Sequence, residues 1–317
     1  YVLAVVGEED YEIVSNVAYL NNPEVMSQVS YKEVTTNSKK GMHITARDNY
    51  AEIISSLRLS HIEYDFVLQE LLSKTTSSSS SIRYEYNGEK YYFNKSQVRE
   101  LDELLAECAK QNVVVTARIL NEYDKDFVDL YYKGADVNEN TKYYAINTSE
   151  KEGAETLEAF MAFFAERYNG TDEKGRLISN WILGSNVNDN ASSNYMGEAD
   201  IHTYAEEYAR SFRIVYNIAK SHNASVNVYM PISNSWNGES NSLSYSGRDF
   251  FNAFNDEIII EGALDWGLCC EALSYPSNDP LVDNDDTVTL DENGNVTNIS
   301  SVASNVITTN TVSMKNI

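Results

Sequence analysis

NKSQVRELDELLAECAKQNVVVTARIL, residues 94–120, contains both of the periods from which the fold is read. Val98, Leu101, Leu105 and Cys108 recur at helical spacing, so residues 95–110 carry one apolar face. Asn94 stands where a side-chain oxygen can cap the first turn. The following VVVTARIL (113–120) is β-branched and apolar, the composition of a strand covered on both faces. A helix that feeds directly into such a strand is an αβ unit.

The same order recurs on either side of it. Upstream, DNYAEIISSL (48–57) predicts a short helix and HIEYDFVL (61–68) a strand. Between them and residue 94, SKTTSSSSS (73–81) is a low-complexity loop, and IRYEYNGEKYYF (82–93) is a hairpin insertion turning on Asn87-Gly88. Downstream, strands are predicted at YYAINTS (143–149), ISNWILG (178–184), SVNVYMPI (225–232) and LDWGLCCEAL (264–273). Helices separate them: Leu157, Phe160, Met161, Phe164 and Tyr168 share one face, and Tyr204, Tyr208, Phe212, Val215 and Ile218 another. A third helix is predicted at GRDFFNAFNDEIII (247–260).

Six strands near residues 61, 113, 143, 178, 225 and 264 therefore form a parallel sheet covered by helices, either doubly wound or closed into a barrel. A Gly-rich phosphate turn after the first strand would favour the dinucleotide-binding arrangement, and the sequence has none. The expected class is α/β, a (β/α)8 TIM-type barrel with its site at the C-terminal strand ends. TVSMKNI ends the chain where a seventh unit should begin, so the barrel is expected to be incomplete at the C-terminus. Residues 1–45 read as a short β-rich N-terminal segment, the end of an upstream domain, and residues 46–317 as the barrel.

Composition narrows the partners. Lys plus Arg number 24 against 48 Asp plus Glu, and a formal charge of −24 argues against nucleic acid or an anionic membrane surface. No stretch approaches the ~18 apolar residues of a membrane span. The chain opens on YVLAVVGEED with no basic segment ahead of an apolar run, which leaves open whether a signal peptide preceded it. Cys108, Cys269 and Cys270 make neither a disulfide framework nor a metal spacing, and are expected to be buried small hydrophobes. His43, His61, His202 and His222 have no ligand spacing either, and DNDD (283–286) lacks the Gly and Glu of a calcium loop, so no metal or cofactor is expected. The 23 tyrosines and frequent asparagines suit a sugar-binding surface, and they equally follow from low-GC coding.

The strand ends carry Glu63 and Asp65, Asn121 and Glu122, Asn147, then Asn186, Asn188 and Asp189, then Asn234 and Trp236, and last Glu271 and Tyr275. Amides and carboxylates match sugar hydroxyls, and aromatic rings cover the apolar face of a sugar ring. Asn121, Asn147, Asn188, Trp236 and Tyr275 are the candidate substrate-binding residues.

The chain resembles a family of bacterial glycoside-hydrolase-like barrels catalogued as a domain of unknown function, related in plan to clan A glycoside hydrolases. SKKGM (38–42), YNGEKYYFN (86–94), YYAINTSE (143–150), FFAERYNG (163–170), NWILGSNVN (180–188), YARSFRIVYNIAKSHNASVNVYMPISNSW (208–236) and MKNI (314–317) carry the resemblance, in order. In that family the fourth strand ends in Gly-Asn-Glu-Val-Asn, whose Glu is the expected acid/base. Here the segment reads Gly184-Ser185-Asn186-Val187-Asn188, which puts Asn186 at that position. The nucleophile is expected at the end of a seventh strand, beyond Ile317. The family also carries a His-Pro-Tyr segment where this chain has CCEALSYP, so Glu271 or a neighbour stands in place of an imidazole.

The resemblance implies a carbohydrate partner and a bacterial, secreted or cell-surface setting, with two readings of activity. One is a retaining glycoside hydrolase in which Asp189 or Glu271 has taken over proton transfer. The other is a barrel that binds carbohydrate, or serves as a structural module of an extracellular assembly, without catalysis.

Overall fold

Six parallel strands lie side by side in strictly sequential order in the computed structural model, which describes residues 4–6, 11–14, 19–30, 36, 38–45, 49–132, 137, 141–233, 235–270, 288–290 and 296–299. They are β1 (Gly41–His43), β2 (His61–Val67), β3 (Val114–Leu120), β4 (Asn180–Leu183), β5 (Asn227–Ile232) and β6 (Gly267–Cys270). The intervening helices are α1 (Tyr50–Leu57), α2 (Lys95–Gln111), α3 (Lys151–Arg167), α4 (Ile201–His222) and α5 (Gly247–Ile260). A doubly wound sheet reverses its strand order at a switch point, and this one never does. The described sheet is a curled parallel sheet of the (β/α)8 plan, with six strands among the described residues.

The count of six strands stands, but its membership is corrected. The strand predicted at 143–149 is not in the sheet and makes only isolated bridges, Tyr143 with Glu122, Ile146 with Tyr131 and Tyr144 with Tyr195. Its backbone is satisfied by loops instead: the Tyr144, Ala145 and Asn147 amides donate to the carbonyls of Asn121 (2.8 Å), Tyr195 (2.9 Å) and Leu130 (3.1 Å). Its apolar residues bury against the strand ends, which gives a loop the composition of a strand. The place it vacates is taken by β1, which pairs His43 with Glu63 in parallel register. NWIL therefore remains the fourth strand.

Local signals act as read. The Asn94 side chain accepts from the Ser96 amide at 3.2 Å, and α2 ends at Asn112 in the left-handed region (φ 55°). In the inserted hairpin Asn87 and Gly88 take φ values of 49° and 84°, the positive pair of a turn whose twist matches the flanking strands. Phe93 of the hairpin stacks on Phe163 of α3 with centroids 3.9 Å apart, which docks the insertion on the helical layer.

The two faces of the sheet differ. Ile62, Phe66, Ala117, Ile119, Trp181, Leu183, Val228, Met230 and Ile232 are buried toward the helices, where Phe66 meets Phe164 at 5.4 Å and Trp181 at 5.9 Å. Each Å² of apolar surface this layer removes from water stabilises the fold by about 25 cal/mol. Tyr204, Tyr208, Phe212 and Val215 of α4 are buried as their spacing predicts, and Ile218 is partly buried. The opposite, concave face is polar, because Glu63, Thr116, Asn180 and Asn227 share one row and Asp65, Arg118, Ile182 and Tyr229 the next. Cys108 is buried, whereas Cys269 is only half-buried and Cys270 is exposed on the edge strand of the described sheet, which corrects the expectation for that pair. No helix among the described residues is long and apolar enough to cross a membrane.

Candidate functional site

The turn after β4 is built by two residues with left-handed backbone. Gly184 has φ 85°, and a Cβ there would lie 2.7 Å from Val187 Cγ1. Asn186 has φ 43°, a conformation that Asn tolerates better than most residues. The turn is held on every side. The Gly184 amide donates to Ile119 O of β3 (2.8 Å), and the Val187 amide donates to Pro231 O of β5 (2.9 Å). From α4 below, the Tyr208 hydroxyl donates to Leu183 O (2.8 Å) and the Tyr204 hydroxyl to Val187 O (2.7 Å). Burial raises both phenol pKa values well above the ordinary one, so these hydroxyls remain donors across the physiological range.

Asn186 Oδ1 is enclosed and accepts no hydrogen bond from any described residue. An orphaned buried acceptor costs about 1–3 kcal/mol, so the position is conformationally and electrostatically unfavourable for its own sake. Asp189, three residues on, donates its amide to Asn186 O at 2.7 Å and directs its carboxylate to the Ser192 hydroxyl.

The asparagines named from the sequence are buried and used internally. Asn188 donates to Ser233 Oγ (3.0 Å) and Tyr245 O (2.9 Å) and accepts from the Ser233 amide (2.8 Å), tying the β4 loop to the β5 loop. Asn121 donates to Leu130 O (2.9 Å) and Ala145 O (3.3 Å) and accepts from Gln69 Nε2 (2.7 Å). Asn147 donates to Glu150 Oε2 (3.1 Å) and accepts from Ser149 Oγ (2.9 Å). In the free protein all three act as struts for the loops at the strand ends. Trp236, after β5, is 39% exposed with its ring 5.8 Å from that of Phe251. Glu271, Tyr275, Asn234 and the DNDD segment lie outside the described residues.

A second constellation went unseen in the sequence. On the concave face His43 Nδ1 lies 3.3 Å from Glu63 Oε1 and His43 Nε2 lies 3.7 Å from Asp65 Oδ2. Arg118 joins the same carboxylates, with Nε 2.8 Å from Asp65 Oδ1 and Nη1 3.4 Å from Glu63 Oε1. The Glu63 hydrogen bond raises the His43 pKa, opposed by burial and assisted by Asp65. Burial pushes the Glu63 carboxyl up, and the His43 contact and the Arg118 charge together bring it below its ordinary value. Ligand atoms of His43, Glu63 and Asp65 lie within 4.8 Å of one another, close enough to hold a cation. When His43 is protonated, its charge and that of Arg118 match the two carboxylates. Residue spacing could not reveal it, since three strands contribute. The signal was the i, i+2 pair Glu63 and Asp65 together with the parallel register of β2 against β3.

The site and fold thus define an open (β/α) barrel half whose fourth strand ends in a tightly braced Gly-Ser-Asn turn. Residues 32–317 match the family of unknown function DUF5722, and the chain belongs to that family. No curated protein matches the chain. Solved structures with a similar chain path include a family 1 β-glucosidase from Thermotoga maritima, 12% identical, covering 69% of this chain and 54% of its own with a TM-score of 0.41. The same enzyme in complex with isofagomine lactam aligns at 13% identity over 69% of this chain and 52% of its own, TM-score 0.43. A hyperthermophilic β-glucosidase from Pyrococcus furiosus aligns at 9% identity over 70% and 52%, TM-score 0.41. The chain spans about half the length of these structures.

Proposed function

We propose that this protein is a glycoside-hydrolase-like barrel of a secreted or cell-surface bacterial protein, which binds a carbohydrate at its C-terminal strand ends and does not cleave it. The observation that carries the reading is Asn186, seated on the turn after the fourth strand. Retaining hydrolysis of a glycosidic bond needs a carboxylic acid to protonate the leaving oxygen and a second carboxylate about 5–5.5 Å away to attack. A side-chain amide hydrogen-bonds an oxygen but delivers no proton to it. Asp189, the nearest carboxylate along the chain, is turned to Ser192. The exposed ring of Trp236 supplies an apolar face of the kind a pyranose covers. Glycan-array binding of the intact chain without release of reducing ends supports the reading; reducing ends released by the wild-type protein overturn it.

A further inference from the structure

The segment after β3 is braced by a hydrogen-bond network, and among the groups it presents is the exposed ring of Tyr123. The Tyr131 hydroxyl accepts from the Asp124 amide at 2.6 Å and donates to Glu122 O at 2.7 Å, clamping the residues on both sides of Tyr123. Gln69, on the short helix Leu68–Leu71 that follows β2, accepts from the Glu122 amide at 2.9 Å. Its Nε2 donates to Asn121 Oδ1 (2.7 Å) and Tyr131 Oη (3.2 Å), closing the network. Under this frame Tyr131 and Tyr144 are buried, and their rings lie 5.3 and 5.8 Å from that of Tyr123. Tyr123 itself is 43% exposed. Beside it Glu122 pairs with Lys142 at 3.4 Å, both side chains reaching solvent.

We infer that Tyr123 is a sugar-stacking platform, a subsite at the end of β3 that takes one pyranose ring of a neutral oligosaccharide, with Glu122 and Lys142 placed to hydrogen-bond its hydroxyls. The inference rests on the carbohydrate-binding reading above and gives that reading a location distinct from Trp236. Three features favour a sugar over other occupants. The exposed face of the Tyr123 ring is flat and apolar, of the size that one sugar face covers. Its neighbours are an anion and a cation, which together complement hydroxyls and not a net charge. The ring is fixed before binding, so little side-chain entropy is lost when a ligand stacks on it. Asn121 thereby changes role: it positions the platform through Gln69 and does not itself reach the ligand.

The test is calorimetric titration of the intact chain with neutral tetrasaccharides of β-linked glucose, xylose, mannose and galactose. Y123A and Y123K are to weaken binding of the tetrasaccharide that the wild type takes by roughly tenfold, while Y123F retains it. Thermal melts of Y123A and Y123K separate any stability lost with the Tyr131 and Tyr144 ring contacts from the loss of affinity, and Y123F, which keeps those contacts, should match wild type in both. Wild-type binding left unchanged by both substitutions overturns the platform and leaves the binding reading standing. Absence of wild-type binding to all four overturns the binding reading and the platform with it. Tyr131→Phe, which removes only the clamping hydroxyl, should lower affinity by a smaller factor with the four-sugar preference unchanged, as a positioning residue would.

Discussion

Substituting Gly184 by Ala should destabilise the protein for two separable reasons, and a second glycine isolates one of them. Gly184 and Gly88 share almost the same φ, 85° and 84°, so an added Cβ meets a similar left-handed penalty at each, about 1–2 kcal/mol. Their surroundings differ. A Cβ on Gly88 would meet nothing within 4 Å, whereas one on Gly184 would lie 2.7 Å from Val187 Cγ1, a fully buried side chain with no free direction to move. Overpacking of that kind costs about 1–3 kcal/mol. G88A should therefore lose about 1–2 kcal/mol and G184A about 2–5 kcal/mol, the difference measuring the contact between the turn and Val187. Urea unfolding of both variants and wild type, with slopes compared so that only midpoints change, gives the two values directly. Equal losses would refute the reasoning, because they would mean that the β4 turn is not packed against Val187 and that Asn186 is not held where the structure puts it.

Other outcomes follow from the same contacts. Asn188→Leu leaves the Ser233 amide and Tyr245 carbonyl without their partner in a buried loop junction, and should cost about 2–5 kcal/mol in the same urea assay. Stability contributed by the His43–Glu63 pair should be present between two limits: it is lost as pH falls through the lowered Glu63 pKa, and lost again as pH rises through the raised His43 pKa. His43→Ala should remove the upper limit, read from melting temperature against pH; an unchanged profile would contradict the pairing. Trp181 and Trp266 are 1% and 2% exposed against 39% for Trp236, so a fluorescence change on sugar addition should vanish in W236A.

Much of this architecture was legible because it is local. The helical stripe of Tyr204, Tyr208, Phe212 and Val215, the cap at Asn94 and the turn at Asn87-Gly88 each declare themselves within a few residues, and each forms as read. What failed were elements defined by partners distant in sequence. Gly41–His43 is three exposed residues with no strand pattern, and only its pairing with His61–Glu63 makes it the first strand. Residues 143–149 have the composition of a strand because Tyr144 and Ile146 are buried, yet their backbone bonds run to Asn121 just after β3, to Tyr195 in the loop after β4 and to Leu130. The site shows the same division. Asn121 follows β3 and Asn188 lies in the turn after β4, whereas the strand that Asn147 was expected to follow does not form, and the hydrogen bonds of all three turn inward, which no residue type discloses. Tyr123 escaped notice because its significance lies in the Gln69 and Tyr131 clamp, contributed from 54 residues upstream and eight downstream.

The central claim is that a barrel with Asn186 at the end of its fourth strand binds carbohydrate and leaves the glycosidic bond intact. The most direct measurement is product analysis by mass spectrometry after prolonged incubation of wild-type protein with the polysaccharide it binds, beside Asp189→Asn. The account predicts bound, unshortened polysaccharide in both. Shortened products from wild type that disappear in Asp189→Asn would contradict it, and would make Asp189 the acid that Asn186 is not.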